Sequence, residues 1–121
     1  MASPDPALHR LRPIVLCADD YGLAPGVSAA IAELIAAGRL SATSCMTTLA
    51  DWRRAAAPLR EVVARTPADV GLHLTLTDQA PLGHARGLAV DGRLPPLGKL
   101  LPRALARALP AASVADELRA Q

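Results

Sequence analysis

Continuous apolar runs alternate with helical stripes through the first two thirds of this chain, and that alternation leaves few folds open. Ile14-Val15-Leu16-Cys17-Ala18 has no polar alternate, as in a parallel strand covered on both faces, and a strand is read over residues 13–19. Val27, Ala30, Ile31, Leu34 and Ile35 then repeat at the spacing of one helix face. Pro25 suits the first turn of that helix and Gly38 a left-handed stop after it, giving a helix over residues 25–37. Ser41 to Thr48 is β-prone and is read as the second strand. Asp51 is placed to cap a second helix, whose buried face is Trp52, Ala55, Ala56, Leu59, Val62 and Val63. Pro58 interrupts this stripe and predicts a kink or a second helical start. Asp69 to Thr75 is the third strand. The order β-α-β-α-β implies an α/β fold of parallel strands with right-handed crossovers.

From residue 76 the periodicity fades. Gly83, Gly87, Gly92 and Gly98 mix with Pro81, Pro95 and Pro96 over residues 76–99, which reads as a long functional or mobile loop. A short helix fits within Leu97 to Leu109, and Ser113 is expected to cap a last helix running to Gln121. Residues 1–12 read as a disordered lead, and 13–121 as one α/β unit. At 121 residues the chain holds one domain at most.

Composition narrows the function. Aromatics are confined to Trp52 and Tyr21, so the core is aliphatic. The net charge is +2, and the arginines are scattered without aromatic partners, so nucleic-acid binding is not supported. Cys17 and Cys45 lie in apolar runs, as buried free thiols of a reducing compartment do. The first twelve residues carry no apolar core of a signal peptide, and no stretch reaches membrane-spanning length. A cytoplasmic location with no membrane span is the expectation.

The residues with chemical potential sit at strand ends. Asp19 and Asp20 close the first apolar run, where open α/β sheets gather ligands and catalytic groups. Two like charges this close favour a cation beside them. They could equally serve as a cap for the helix at residue 25 and a solvated carboxylate. His73, in Val70-Gly71-Leu72-His73-Leu74, falls at the matching end of the third strand. It suits a metal ligand, and it equally suits a hydrogen-bonded core histidine. His9 and His84 are expected in solvent, and Asp78 in a turn. Ser41, Thr43 and Ser44 have no base at helpful spacing and no nucleophile-elbow pattern, so a Ser-His-Asp hydrolase is not favoured. The glycines at 22 and 26 form neither a dinucleotide fingerprint nor a P-loop.

Taken together, Ala18-Asp19-Asp20-Tyr21-Gly22-Leu23 and Gly71-Leu72-His73-Leu74-Thr75-Leu76 resemble the paired signatures of the ChbG/HpnK (YdjC-like) carbohydrate deacetylases. Gly38-Arg39-Leu40-Ser41-Ala42-Thr43-Ser44, Val90-Asp91-Gly92-Arg93-Leu94 and Glu117-Leu118-Arg119-Ala120-Gln121 extend the resemblance over residues 13–121. It implies the N-terminal part of a β/α-barrel-like fold and metal-dependent removal of N-acetyl groups from amino sugars. A chitooligosaccharide or a hopanoid-linked glucosamine is the implied substrate. The resemblance further implies Asp20 and His73 as ligands of a divalent ion, Mg or Zn, and Asp19 as general base. Such proteins carry a further histidine-rich motif beyond a stretch like this one, so the chain is expected to be an incomplete, inactive enzyme, open to homo-oligomer formation. Two other readings are a metal-dependent phosphodiesterase, which needs an arginine cluster near the strand ends, and an inert fragment that binds a sugar or a partner.

Overall fold

The computed structural model describes residues 12–121. The lead read over residues 1–12 therefore lies almost wholly outside the described residues. Three parallel strands form one sheet in the order β1-β2-β3: β1 Cys17–Tyr21, β2 Ala42–Cys45 and β3 Asp69–Leu72. Helices α1 Pro25–Ala36 and α2 Trp52–Arg65 connect them, and α3 Leu97–Leu105 and α4 Ala111–Ala120 follow. The β-α-β-α-β order is the one the apolar pattern implies.

Tyr21, Ile31, Ile35, Cys45 and Leu59 form one buried cluster, so α1 and α2 cover the same face of the sheet. Burying an aliphatic side chain of this size contributes about 1.5–3 kcal/mol, which makes this cluster the main anchor of the layer. Tyr21 ties strand to helix as well, its hydroxyl donating to Ala55 O at 2.8 Å. Alternation along the strands sends Cys17, Asp19 and Ser44 to the opposite face. That face has no helix layer over it among the described residues.

The element bounds differ from the sequence reading in instructive ways. β1 starts at Cys17 rather than residue 13, and Ile14, Val15 and Leu16 are 80%, 71% and 53% exposed. The apolar run is thus only partly strand, and Cys17 lies exposed rather than buried. β3 ends at Leu72 because the ladder closes with His73 N–H on Cys45 O, after which Thr75 bonds elsewhere. Pro58 sits inside one unbroken α2. Its missing donor is tolerated on an exposed helix face, and the nearby Ala55 carbonyl is taken by Tyr21. Asp51 occupies the N-cap position of α2 without a side-chain capping bond. Ser113 lies inside α4, and its hydroxyl donates to Arg86 O at 2.6 Å instead of capping.

Residues 76–99 are not a loose loop. Ala85, Leu88, Leu94 and Leu100 form a second buried cluster, joined by Leu76, Ala89, Leu109 and Val114. A tight reversal at Asp91-Gly92, both with positive φ (50° and 74°), pairs Val90 with Arg93. Side chains at the end of α4 fasten this segment to itself and to the chain just past β3. The buried Glu117 carboxylate accepts the N–H groups of Leu82 and Gly83 at 3.0 and 2.7 Å. The Gln121 amide bonds both the N–H and the C=O of Thr75, at 2.9 and 2.7 Å, as a neighbouring strand would.

Candidate active site

The carboxyl ends of the three strands converge on four side chains. The register is Ala18 opposite Thr43 and then Tyr21 opposite Cys45, so β1 carries one residue more than β2 between these pairs. That bulge breaks the strict alternation of a strand. Asp20 takes the left-handed conformation, φ 68°, which Asp tolerates better than most residues. The result is that Asp19 and Asp20, neighbours in sequence, both serve the same end of the sheet. The turn that follows is closed by Leu23 N–H on Asp20 O at 3.0 Å. Gly22 stands where φ must be positive, and a Cβ there would come within 3.2 Å of Met46 O. α1 is capped at Ala24 without any side-chain bond, so neither aspartate is spent as its cap.

Asp20 Oδ1 lies 3.2 Å from His73 Nδ1. Because β2 separates β1 from β3, this contact spans the end of the middle strand, and Ser44 fills the gap. The Ser44 hydroxyl donates to Asp19 Oδ1 at 2.7 Å and lies 3.3 Å from His73 Nδ1. With its one proton committed to Asp19, the Ser44 oxygen can only accept. Asp20 also only accepts, so the arrangement places a hydrogen on Nδ1 shared between the two. Asp19, Asp20 and His73, singled out from sequence, are thus brought together. Ser44, set aside for lack of a base at useful spacing, is the member that sequence reasoning missed. Nothing in the sequence marked it, because its place depends on register: Ser44 pairs with Gly71 in β3, two residues short of His73.

Other expectations resolve simply. His84 is exposed, and Asp78 sits in a turn with φ 57°. Trp52 packs against the first cluster. Burial, then the neighbouring Cys17, pushes the Cys45 thiol up to about 11. Cys17 is also raised, by local desolvation and by Asp19, whose Oδ1 lies 3.8 Å from its Sγ.

The donor set can be tested against a divalent ion. Two donors held ~2.0–2.2 Å from one ion at right or tetrahedral angles lie roughly 2.8–3.6 Å apart. The Asp20–His73 separation of 3.2 Å falls in that range, and a carboxylate with an imidazole is a common ligand pair. Among the described residues no three His, Cys, Asp or Glu side chains group to hold a metal, so Asp20 and His73 would be the only two donors a divalent ion finds among them here.

A parallel β/α sheet with carboxylates and an imidazole at its carboxyl end defines a class of site built for polar chemistry. The chain belongs to the YdjC-like protein family, whose model matches residues 13–121. It is similar to the crystal structure of a candidate cellobiose-phosphate cleavage protein from Enterococcus faecalis V583, with 26% identity and a TM-score of 0.67. That match covers 88% of this chain and 41% of the other, so the chain spans less than half the length of this relative. No curated protein matches the chain. No helix among the described residues is long and apolar enough to cross a membrane.

Proposed function

We propose that this chain contributes the metal-holding and proton-accepting groups of a carbohydrate deacetylase that hydrolyses the N-acetyl group of an amino sugar. The observation that carries the reading is the Asp20–His73 contact of 3.2 Å with Asp19 beside it, at the carboxyl end of a parallel sheet. Family membership supports it, and the structural neighbour is also described by carbohydrate chemistry.

Asp20 and His73 would hold a divalent ion. When bound, that ion supplies Lewis acidity toward the acetyl carbonyl and a bound water. Asp19 accepts the proton of the attacking water, as a positioned carboxylate does in general base catalysis. Water adds to the carbonyl carbon, the proton taken by Asp19 passes to the sugar nitrogen as the C–N bond breaks, and acetate and a free sugar amine leave. The exposed bare face of the sheet gives a sugar room to approach these groups. The phosphodiesterase alternative asks for arginine at the same place, and the partners of His73 are Asp20 and Ser44 instead.

The test is acetate release from N-acetylated chitooligosaccharides by a full-length version of the enzyme that carries this chain, before and after chelation and after return of Mg or Zn. Release that is lost on chelation and restored by one of the ions is the expected result. Release unaffected by thorough metal removal would overturn the reading.

A further inference from the structure

We propose that Ser44 is a positioning residue for Asp19, fixing one oxygen of that carboxylate so that the other faces the attacking water. The inference rests on the deacetylase reading for its catalytic consequence, and on geometry alone for its structural one. The Ser44 hydroxyl donates to Asp19 Oδ1 at 2.7 Å, a short bond of the kind formed by a hydroxyl to an ionised carboxylate. Cys17 Sγ approaches the same oxygen at 3.8 Å. Asp19 Oδ2 has no hydrogen-bond partner among the described residues. One oxygen is therefore anchored to the protein and the other is left to take a proton.

The anchor comes from a rigid place. Ser44 lies in the middle strand of the sheet, paired to Gly71 in β3. The aspartate it holds lies in the bulge of β1, where backbone geometry alone orients a side chain less firmly. The same hydroxyl oxygen faces His73 Nδ1 at 3.3 Å, so Ser44 sets the spacing between proton acceptor and imidazole. The two aspartates are thereby given different work. Asp20 turns its Oδ1 to His73, while Asp19 spends Oδ1 on Ser44. A serine held by a carboxylate and lying beside an imidazole also has the outline of a nucleophile. The test must separate that role.

Ser44→Ala and Ser44→Thr are compared with the unaltered protein, in acetate release and metal content in the full-length enzyme and in the crystal structure of this chain. Positioning predicts that Ser44→Ala lowers kcat roughly 10–100-fold, with KM and metal content within about threefold, as loss of a supporting partner does. Ser44→Thr, which keeps a hydroxyl on a strand-compatible side chain, should recover most of that loss. The crystal structure of Ser44→Ala should show Asp19 in a changed or mixed rotamer, and this arm needs no activity. Asp19 unmoved in Ser44→Ala, or kcat unchanged, overturns the proposal. An acetyl group trapped on Ser44 during turnover, seen as an acetyl mass increment on its peptide, overturns it in favour of a nucleophile. Should the full-length unaltered enzyme release no acetate, the deacetylase reading fails, and the crystallographic arm still decides whether Ser44 holds Asp19.

Discussion

Residues 17–73 and residues 76–121 solve the same problem, burying apolar surface, by different means. The first region repeats strand and helix, and its core is one layer shared by α1, α2 and the covered face of the sheet. The second has no strand of the sheet and builds its core from irregular chain around Leu88 and Leu94. Glu117 fastens the chain at Leu82 and Gly83 to α4, and Gln121 ties it to the backbone of Thr75, three residues past the end of β3. Repetition leaves strand ends in register, and the chemically able residues collect there. Irregular packing collects none, since Asp78, His84 and Asp91 are all exposed and scattered over turns. The proposed chemistry thus lies with the sheet, and the second region contributes a separate core.

The largest expected effect tests that division. In a full-length version of the enzyme, Asp19→Asn should lower acetate release by about 10²–10⁴-fold, the usual weight of a general base, with the metal still bound and the unfolding midpoint nearly unchanged. Turnover and metal content are to be measured on one sample. Near-normal turnover in this variant would remove Asp19 from its role and weaken the claim that the sheet end holds the chemistry.

Next come the two cores. Leu59→Ala in the first and Leu88→Ala in the second each delete a buried leucine and should cost about 2–5 kcal/mol. Hydrogen exchange distinguishes them. If the regions are separate in the way their packing suggests, Leu88→Ala speeds exchange over residues 76–109 while the amides of β1, β2 and β3 stay protected. Uniform loss of protection would mean that the division is one of pattern and not of energetics.

This contrast also explains what could be read from the sequence. The stripe of Val27, Ile31, Leu34 and Ile35 is periodic and gave α1 almost to the residue, with Gly38 left-handed as expected. Asp19, Asp20 and His73 announced themselves as charged groups at the ends of apolar runs. Ser44 did not, because a serine in a strand is unremarkable until register places it beside Asp19. The second core escaped because Ala85, Leu88, Leu94 and Leu100 follow no fixed spacing. One signal there was available: Asp91-Gly92 is a strong reversal dipeptide, and it forms the tight turn that pairs Val90 with Arg93. The bounds of β1 were misread because Ile14, Val15 and Leu16 are as apolar as any strand, and nothing local says that they remain exposed.

Glu117 gives a smaller effect with a pH signature. Burial works to raise its carboxyl, but hydrogen bonds from Gln121, Leu82 and Gly83 outweigh that and hold it below its ordinary 4.5. A lowered value in the folded state means stability that is fully present above pH 4.5 and lost as pH falls through the folded value. Glu117→Gln should therefore cost about 1.5–3 kcal/mol at neutral pH, and the gap to the unaltered protein should narrow in acid. Unfolding in denaturant at pH 7 and at pH 3.5 measures both. A gap that stays constant would assign the loss to shape and not to charge.

The smallest effect concerns the two faces of the sheet. Cys17 lies exposed on the bare face, and Cys45 lies buried under the helices, its thiol held protonated up to about 11. At pH 8 a thiol-specific reagent should modify Cys17 first, slowed somewhat by the negative Asp19 nearby. Cys45 should react at least ~100-fold more slowly, at a rate set by opening of the helix layer. Mild denaturant should then speed Cys45 and leave Cys17 unchanged. The raised Cys45 value carries a sign of its own: folding keeps the thiol neutral, so stability is retained below the ordinary 9.0 and falls as pH rises from there toward 11. Equal labelling of both cysteines in native buffer would show that α1 and α2 do not keep one face closed, and the contrast between the covered and the bare face would fail.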